Sequence, residues 1–410
     1  MVEKPRIRAV EAFPLEHNGQ QLICLRDPGG TAPEPIMVGA GAYFLITRFD
    51  GAHDIAALQA AFARQFGEQV TAAQVRELIT ALDQGYFLES RRYAARVREI
   101  RAQFAASPER PAAHAGLCYA DQPEKLRAEM DRFFIKAGCA LESIKVRNGK
   151  PLAGLVAPHI DPPRGGLAYA HAYAELAAHE RPELVIILGT SHYGAGPELF
   201  TATRKDYATP LGAVTTDREF VDRLARRYRE GKLFGDELLH RNEHSIEFQA
   251  LFLAHTIGVQ NYQVVPVLVS SFHQMVLSGK SPALDRRVGD FLEALTALIA
   301  GERRRVAIIA GVDFAHIGRK FGDDFGVDSR KRKELHAADH RLIGHLEGGD
   351  AEGFFGEIAH ERDRWRVCGV APLYTQLALL KGHRGRLLNY DVAMEPATES
   401  AVSFASLAIE

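Results

Sequence analysis

From residue 152 onward, short apolar segments alternate with longer segments of helical periodicity, and this alternation constrains the fold more than any other feature. Apolar runs of roughly 4–8 residues between turn signals are typical of strands buried on both faces of a sheet. We predict strands at residues 152–157, 184–189, 262–270, 306–311, 386–390 and 402–408, and helices at about 166–179, 217–230, 243–257, 284–300 and 329–347. The alternation predicts an α/β domain with a mixed, largely parallel sheet and helices on both faces.

The 410 residues exceed one average domain, and residues 1–90 are predicted to form a small, separate, winged-helix-like domain. Asp54 and Thr71 are predicted to cap two helices, and a short strand is predicted at 86–88, after the second helix. Arg and Lys are not concentrated on that second helix, so no nucleic-acid binding is expected. Residues 91–109 are predicted to form a charged linker helix, and residues 110–410 the α/β domain.

Charge and hydropathy exclude two further classes of partner. The net charge of −2 gives no general attraction to nucleic acid or to anionic membranes. No apolar run reaches the roughly 18 residues that span a bilayer, and residues 1–10 lack the hydrophobic core of a signal peptide. The four cysteines contain no CxxC pair, so structural disulfides are not expected. We therefore expect a cytoplasmic protein without membrane association.

Polar side chains follow four of the predicted strands, at the point where each strand ends. In an open α/β sheet, ligands bind beyond the carboxyl ends of the strands, so these side chains are expected to converge. Neutral imidazoles are the commonest metal ligands in proteins. The pattern therefore predicts a metal-binding pocket built from His159 and Asp161, Ser191 and His192, Ser270, Ser271 and His273, and Asp313 and His316.

Two kinds of further metal ligand remain open at this point. Glu243 and Glu247 lie four residues apart on one predicted helical face, with His244 beside them. A carboxylate ligand would give the hard, open site of non-haem iron enzymes, whereas the Cys368 thiolate would give a softer site for copper, iron or zinc. The ordinary interpretations are a helix-start carboxylate, a solvated pair of glutamates and a small buried cysteine.

The α/β domain resembles the Memo family. The resemblance rests on six motifs in the same order, namely His114-Ala-Gly-Leu-Cys-Tyr119, Ala157-Pro-His159, Leu188-Gly-Thr-Ser-His192, Glu243-His-Ser-Ile-Glu247, Asp313-Phe-Ala-His316 and Val367-Cys-Gly369. It implies the fold shared with class III extradiol dioxygenases and an iron or copper ion held by His159, His192 and Cys368. It also implies pocket roles for Asp313 and His316. Because many bacterial members are grouped with a radical-SAM protein and an AMMECR-type protein, as system protein B, the resemblance implies these partners.

The amino-terminal unit is similar to PqqD-type peptide-recognition domains. The similarity rests on the segments 41–45, 49–51 and 82–88, together with Leu58 and Val75. It implies a peptide substrate or partner at residues 1–90; the ordinary interpretation is a structural cap on the main domain.

The sequence departs from the Memo pattern at three places. Asp161 follows His159 by two residues and is expected either to enlarge the ligand set or to be a turn residue before Pro162. Tyr193 stands where a second histidine is often found. Residues 370–372 (Val-Ala-Pro) replace a more polar stretch, so the pocket is expected to be apolar on that side.

Two functions from different classes follow, with a third as a variant of the first. The first is a metal-dependent redox enzyme in which His316, or His244 oriented by Glu247, is the general acid/base and Asp313 orients His316 or the substrate. The second is a non-catalytic protein that binds a peptide or partner in the same pocket. The variant is a zinc-dependent hydrolase, because two imidazoles and a thiolate also suit zinc.

Overall fold

The computed structural model describes residues 3–17, 19–147, 151–194 and 196–410. The chain divides into two compact units, Met1–Ser107 and Pro108–Glu410. No helix in the described ranges is both long and apolar enough to cross a lipid bilayer.

The first unit contains a three-stranded antiparallel sheet followed by four helices. The strands are β1 (Glu11–His17), β2 (Gln20–Arg26) and β3 (Ile36–Val38), and the helices are α1 (Ala40–Ile46), α2 (Ile55–Phe66), α3 (Ala72–Gln84) and α4 (Arg91–Ala106). Asp54 accepts a hydrogen bond from Ala57 N, and Thr71 forms a capping box with Gln74, which confirms both predicted caps.

The winged-helix-like layout is not confirmed. The strand predicted at 86–88 is reduced to one bridge between Leu88 and Ile7, and the sheet precedes the helices rather than following them. The charged helix α4 begins at the predicted residue, Arg91, but ends at Ala106 rather than at 109, and it belongs to the first compact unit.

The second unit alternates strands and helices along the chain. Its strands are β4 (Glu109–Arg110), β5 (Gly154–Ala157), β6 (Leu184–Thr190), β7 (Phe200–Ala202), β8 (Asp206–Tyr207), β9 (Gln263–Val269), β10 (Val306–Gly311), β11 (His316–Ile317), β12 (Gly385–Glu395) and β13 (Ser400–Ile409). Its helices are α5 (Pro123–Lys136), α6 (Pro162–Ala177), α7 (Arg218–Arg227), α8 (His244–Ile257), α9 (His273–Ser278), α10 (Arg286–Ala300), α11 (Ser329–Gly348), α12 (Ala351–His360) and α13 (Val370–Leu379).

Eight of these strands form one mixed sheet with the order β11-β13-β5-β10-β6-β9-β7, in which β12 also pairs with β13. The central strands β5, β10, β6 and β9 are parallel, whereas β7, β11, β12 and β13 pair antiparallel with their neighbours. The predicted mixed, largely parallel sheet is confirmed, and its four parallel strands end at one common edge.

Helices cover both faces of the sheet, which explains the continuous apolar runs of the central strands. In β6, Leu184, Ile186 and Leu188 pack into one core with α7, α10, α11, α12 and α13. Val185 and Ile187, on the opposite face, pack into a second core with α5, α6 and α8. Since successive side chains of a strand point to opposite faces, both sets must be apolar.

Two glycines at the carboxyl ends of the strands bring α8 close to the sheet. A Cβ at Gly311 would lie 2.5 Å from the Ser245 carbonyl oxygen, and one at Gly189 would lie 2.6 Å from the side chains of Ser245 and Ile246. Only glycine fits such an approach. The first turn of α8 therefore lies against the edge where the parallel strands end.

Candidate metal centre

Two strand ends and the loop before α13 bring together the residues predicted to bind metal. His159 follows β5, His192 follows β6, and Cys368 lies two residues before α13. Ligand atoms of these three residues, which we call the metal-ligand trio, lie within 4.8 Å of one another. His159 Nε2 lies 3.2 Å from Cys368 Sγ, and the two imidazole centroids are 4.8 Å apart.

Hydrogen bonds fix both imidazoles of the trio so that the second ring nitrogen is available as a ligand. His159 Nδ1 lies 3.0 Å from the Gly311 carbonyl oxygen; since a carbonyl only accepts, Nδ1 carries the hydrogen and Nε2 the lone pair. His192 Nδ1 lies 2.9 Å from Glu243 Oε1, which orients its Nε2 in the same way. Metal-binding histidines commonly have such an acceptor behind them.

Glu243 is a buried carboxylate committed to His192 and to the start of α8. Its Oε2 accepts the His192 backbone N–H at 2.8 Å, and its Oε1 accepts the Ser245 N–H at 3.1 Å as the helix cap. Burial alone would raise the pKa of Glu243, but the interactions with His192 and His244 hold it well below its usual range. The helix-start interpretation is thus correct, but the residue also orients a candidate ligand.

The three groups of the trio differ in the protonation that their surroundings favour. Burial lowers the pKa of His159 well below its usual range, so that imidazole is neutral, and burial raises the pKa of the Cys368 thiol. Burial alone would lower the pKa of His192, but Glu243 raises it. A cation would replace the protons of Cys368 and His192. Two imidazoles and one thiolate fit a soft or borderline ion such as copper, iron or zinc.

Asp313 and His316 lie beside the trio, but Asp313 does not orient His316 through a hydrogen bond. Asp313 Oδ1 accepts the backbone N–H groups of His159 and Ile160 at 2.9 and 3.1 Å, and its Oδ2 lies 3.7 Å from His159 Nε2. Burial raises the pKa of Asp313 to about 6. His316 Nδ1 instead lies 3.2 Å from the carbonyl oxygens of Phe314 and Arg366, and among the described residues no hydrogen bond engages its Nε2.

His244 stacks on the trio, and its orienting carboxylate is Glu243 rather than the predicted Glu247. Its ring lies parallel to that of His192, with centroids 4.8 Å apart at 15°, and its Nδ1 lies 3.3 Å from Glu243 Oε1. Burial lowers the pKa of His244 well below its usual range. The predicted pairing of His244 with Glu247 is therefore wrong.

Glu247 belongs to a different buried network. Its Oε1 accepts the Tyr119 hydroxyl at 2.5 Å and the His114 N–H at 3.0 Å, while its Oε2 contacts His114 Nδ1 at 2.8 Å and the Arg110 guanidinium. Burial alone would raise the pKa of Glu247, but Arg110 and His114 hold it at about 2. The interpretation of Glu243 and Glu247 as a solvated pair is wrong.

Arg110 links the two glutamates and was not identified from the sequence. It is fully buried, and it donates to the carbonyl oxygens of His240 and Glu243, both at 2.8 Å, as well as to Glu247. Arginine is suited to such a role because its planar group presents five donors. Its partners lie 130 to 137 residues away along the chain, so no local pattern indicates the contact.

Asp161 is a helix cap and not an additional ligand. It precedes α6 as the N-cap, accepts the Arg164 N–H at 3.2 Å, and forms an ion pair with the Arg164 side chain. Of the two interpretations left open, the turn residue before Pro162 is correct. The combination of an aspartate with proline at the first helical position is itself a helix-start signal.

Comparison with known proteins identifies the family to which this chain belongs. The family model described as "Memo-like protein" matches residues 110–408, which is most of the chain. The chain belongs to the Memo family. The fold and the six ordered motifs agree with this membership.

Curated relatives differ in whether they extend beyond the Memo domain. A MEMO1 family protein of Aquifex aeolicus is 30% identical over 407 residues, covering 98% of this chain and 99% of the relative. The MEMO1 family protein MK0963 of Methanopyrus kandleri is 32% identical over 287 residues, covering 69% of this chain and 91% of the relative. A Pyrococcus abyssi member is 29% identical over 294 residues, covering 69% and 94%. The Aquifex relative therefore also aligns with the amino-terminal unit.

A cavity of about 270 Å³ opens beside the trio in the Memo domain. Its wall includes His192 and Cys368, and the predicted apolar side is present; the apolar lining residues are Val269, Phe272, Val276, Val367, Val370 and Ala371. Ser271 and His273 also line it, but neither belongs to the trio. Ser191 Oγ, at the same wall, is buried and has no hydrogen-bond partner among the described residues. The cavity thus offers one apolar side and one unsatisfied hydroxyl next to the ligand atoms.

Proposed function

We propose that this Memo-family chain is a metal-dependent redox enzyme whose iron or copper ion is held by His159, His192 and Cys368. The observation that carries the proposal is the meeting of His159, His192 and Cys368 beside one cavity, whose wall includes His192 and Cys368. An iron or copper ion bound there would supply electron transfer and open positions for substrate or oxygen. A zinc ion in the same trio would instead support hydrolysis, which is the alternative that metal identity separates.

The chain's own residues would hold substrate and move protons. The apolar side of the cavity would bind the substrate body and exclude water, and Ser191 Oγ would accept or donate one hydrogen bond to it. His316 Nε2 would exchange protons, since burial lowers the pKa of His316 and keeps that ring neutral near pH 7. His244, stacked on His192, is the second candidate for proton exchange.

Asp313 and Glu243 would act as positioning groups. Asp313 holds the backbone at His159, and Glu243 holds both the backbone and the ring of His192. Glu247 would act indirectly. It would fix the Arg110 guanidinium, which in turn holds the Glu243 carbonyl at the start of α8.

Metal content tests the proposal directly. Untagged protein purified without oxygen should contain about one iron or copper ion per chain, and His192→Ala should lose it. His273→Ala, which removes a neighbouring imidazole of the same cavity, should retain the ion. Wild-type protein without near-stoichiometric iron or copper would refute the redox function, and stoichiometric zinc alone would favour the hydrolase.

We also propose that the enzyme works with a radical-SAM protein and an AMMECR-type protein, and that the amino-terminal unit holds a peptide. The support is the Memo membership together with the presence of this unit in the Aquifex relative. Full-length protein should bind the radical-SAM protein of the same organism in size-exclusion or calorimetric experiments. If binding occurs but the trio carries no metal, the non-catalytic binding function is the better one.

A further inference from the structure

Helix α11 carries two exposed histidines on consecutive turns. His336 and His340 are four residues apart, so both project from the same helical face. Their rings are stacked, with centroids 3.8 Å apart and planes inclined by 17°. Neither residue belongs to the metal-ligand trio or to the cavity beside it. We call them the helix-surface pair.

Tyr390 on β12 supports this pair from the side of the sheet. Its ring meets His336 and His340 edge-on, with centroid distances of 5.2 and 4.9 Å. The Tyr390 hydroxyl donates to Asp339 Oδ2 at 2.8 Å, and Asp339 is buried between the two histidines in sequence. The aromatic ring is thus itself fixed, which restricts the rotamers of both imidazoles.

The pair has free donor atoms. His340 Nδ1 lies 2.9 Å from the His336 carbonyl oxygen, so Nδ1 carries the hydrogen and the Nε2 lone pair is available. Within the described ranges, no hydrogen bond engages a ring nitrogen of His336. Two imidazoles on one helical face meet the first requirement of a chelating site.

The surroundings of His336 favour its neutral form, but a nearby positive charge opposes a bound cation. Partial burial, the neighbouring His340 and the Arg332 guanidinium all lower the pKa of His336. A neutral His336 is ready to bind metal at pH 7, whereas the positive charge of Arg332, one turn earlier, repels an incoming ion. Removing that charge should therefore strengthen binding.

We propose that His336 and His340 form a second, solvent-exposed site for a divalent transition-metal ion that prefers imidazole, namely Cu²⁺, Ni²⁺ or Zn²⁺. The two Nε2 atoms are the protein ligands, and water completes the coordination. Because the rings are stacked on one face of α11, rotation about their side-chain bonds would bring both nitrogens onto one ion. Copper(II) should bind most tightly among the three, following the usual order for nitrogen ligands.

The site has a practical consequence for the metal content of the whole protein. An exposed ion with two protein ligands exchanges readily, whereas an ion bound by the trio would be held by three protein ligands and would exchange more slowly. A chain saturated with Cu²⁺ should therefore carry one exchangeable ion beyond that in the trio.

Titration of untagged, full-length protein with Cu²⁺ and with Zn²⁺ tests the site, with calorimetry for affinity and electron paramagnetic resonance for the copper ligands. His336→Ala and His340→Ala should each weaken the exchangeable site by roughly a hundredfold, because one ligand then binds without the other. His360→Ala, which removes a lone exposed histidine at the end of α12, is the matched control and should change nothing. Arg332→Gln should strengthen binding.

Two results would overturn the site. The first is an unchanged number and affinity of bound ions in both His336→Ala and His340→Ala. The second is an equal loss in His360→Ala, which would indicate unspecific surface binding. Circular dichroism of each variant establishes that α11 is still folded.

Discussion

His159, His192 and His244 lie in a cluster at the carboxyl edge of the sheet, whereas His336 and His340 lie on the exposed face of α11. The rings are close in both groups, with centroid distances of 4.8 to 5.1 Å at the edge and 3.8 Å on the helix. At the edge, however, each ring has an acceptor behind it, and buried Glu243 and Asp313 compensate the local charge.

The difference lies in what each group requires from the rest of the fold. The edge cluster depends on contacts between residues distant in sequence, so changes far from any ligand should disturb it. The helix-surface pair needs only one intact helix and one tyrosine. Four substitutions test this contrast.

The largest effect is expected for Arg110→Met, which leaves the buried Glu247 carboxylate without its cation. Breaking a buried ion pair costs about 3–5 kcal/mol of unfolding free energy. Urea unfolding should show this loss, and metal retention by the trio should fall because the Glu243 carbonyl loses a donor. Cu²⁺ binding by the helix-surface pair should persist under native conditions.

The double variant Arg110→Met/Glu247→Gln is the control for this substitution. It removes the unpaired charge, so it should be more stable than Arg110→Met alone. A double variant that is as unstable as the sum of both single variants would show that the network is not coupled.

The next effect concerns Asp339, beneath the helix-surface pair, whose pKa is raised by burial from its usual 3.8 to about 6. Because the fold disfavours the ionised carboxylate, ionisation of Asp339 lowers the free energy of unfolding. This loss is absent below the pKa of Asp339 in the unfolded state, grows as pH rises to about 6 and is constant above that pH. For about two pKa units it amounts to at most about 3 kcal/mol. Asp339→Asn should therefore gain stability relative to wild type as pH rises from about 4 to 7.

Urea unfolding of both proteins at several pH values measures that difference. A stability difference that does not vary with pH would contradict a raised pKa at Asp339. Since Asp339 is not a ligand of the pair, Cu²⁺ affinity should be similar in Asp339→Asn.

An intermediate effect is expected for Gly311→Ala, which places a methyl group against the Ser245 carbonyl oxygen. Overpacking of this kind typically costs about 1–3 kcal/mol and shifts the backbone. The start of α8 should move away from the strand ends, so metal retention by the trio should fall together with stability. Gly344→Ala on α11 is the matched control, since no atom of the described residues lies within 4 Å of its added Cβ. Normal metal retention in Gly311→Ala would show that the close approach of α8 is dispensable.

The smallest effect is expected for Glu243→Gln, which keeps the shape but removes the charge behind His192. Loss of such an outer contact typically weakens metal binding about 10–100-fold, or about 1.4–2.7 kcal/mol. Competition with a chelator measures this change, and the helix-surface pair serves as the internal reference. Unchanged affinity of the trio would mean that Glu243 serves only as a helix cap.

The elements that depend on local pattern were predictable from the sequence. The buried strands β6, β9 and β10 were recognised because both faces are covered and the runs are continuously apolar. The positions of His159 and His192 followed from strand ends that share one edge. Asp54 and Thr71 were recognised as caps from the residue types alone.

The elements that depend on distant contacts were not predictable. The orienting role predicted for Glu247 belongs to Glu243, because the sequence shows two equivalent glutamates while Arg110 and His192 distinguish them only in the fold. Strands β1 and β3 of the first unit were missed, because β1 mixes charged with apolar residues and β3 is only three residues long. The spacing of His336 and His340 is readable from the sequence, but their support by Tyr390 is not.

Anomalous scattering at the iron, copper and zinc edges, from crystals of the untagged protein, tests the proposed centre most directly. We expect an iron or copper peak bonded to His159 Nε2, His192 Nε2 and Cys368 Sγ, distinct from any exchangeable ion at His336 and His340. A trio without an anomalous peak at the iron or copper edge would contradict the proposed redox centre.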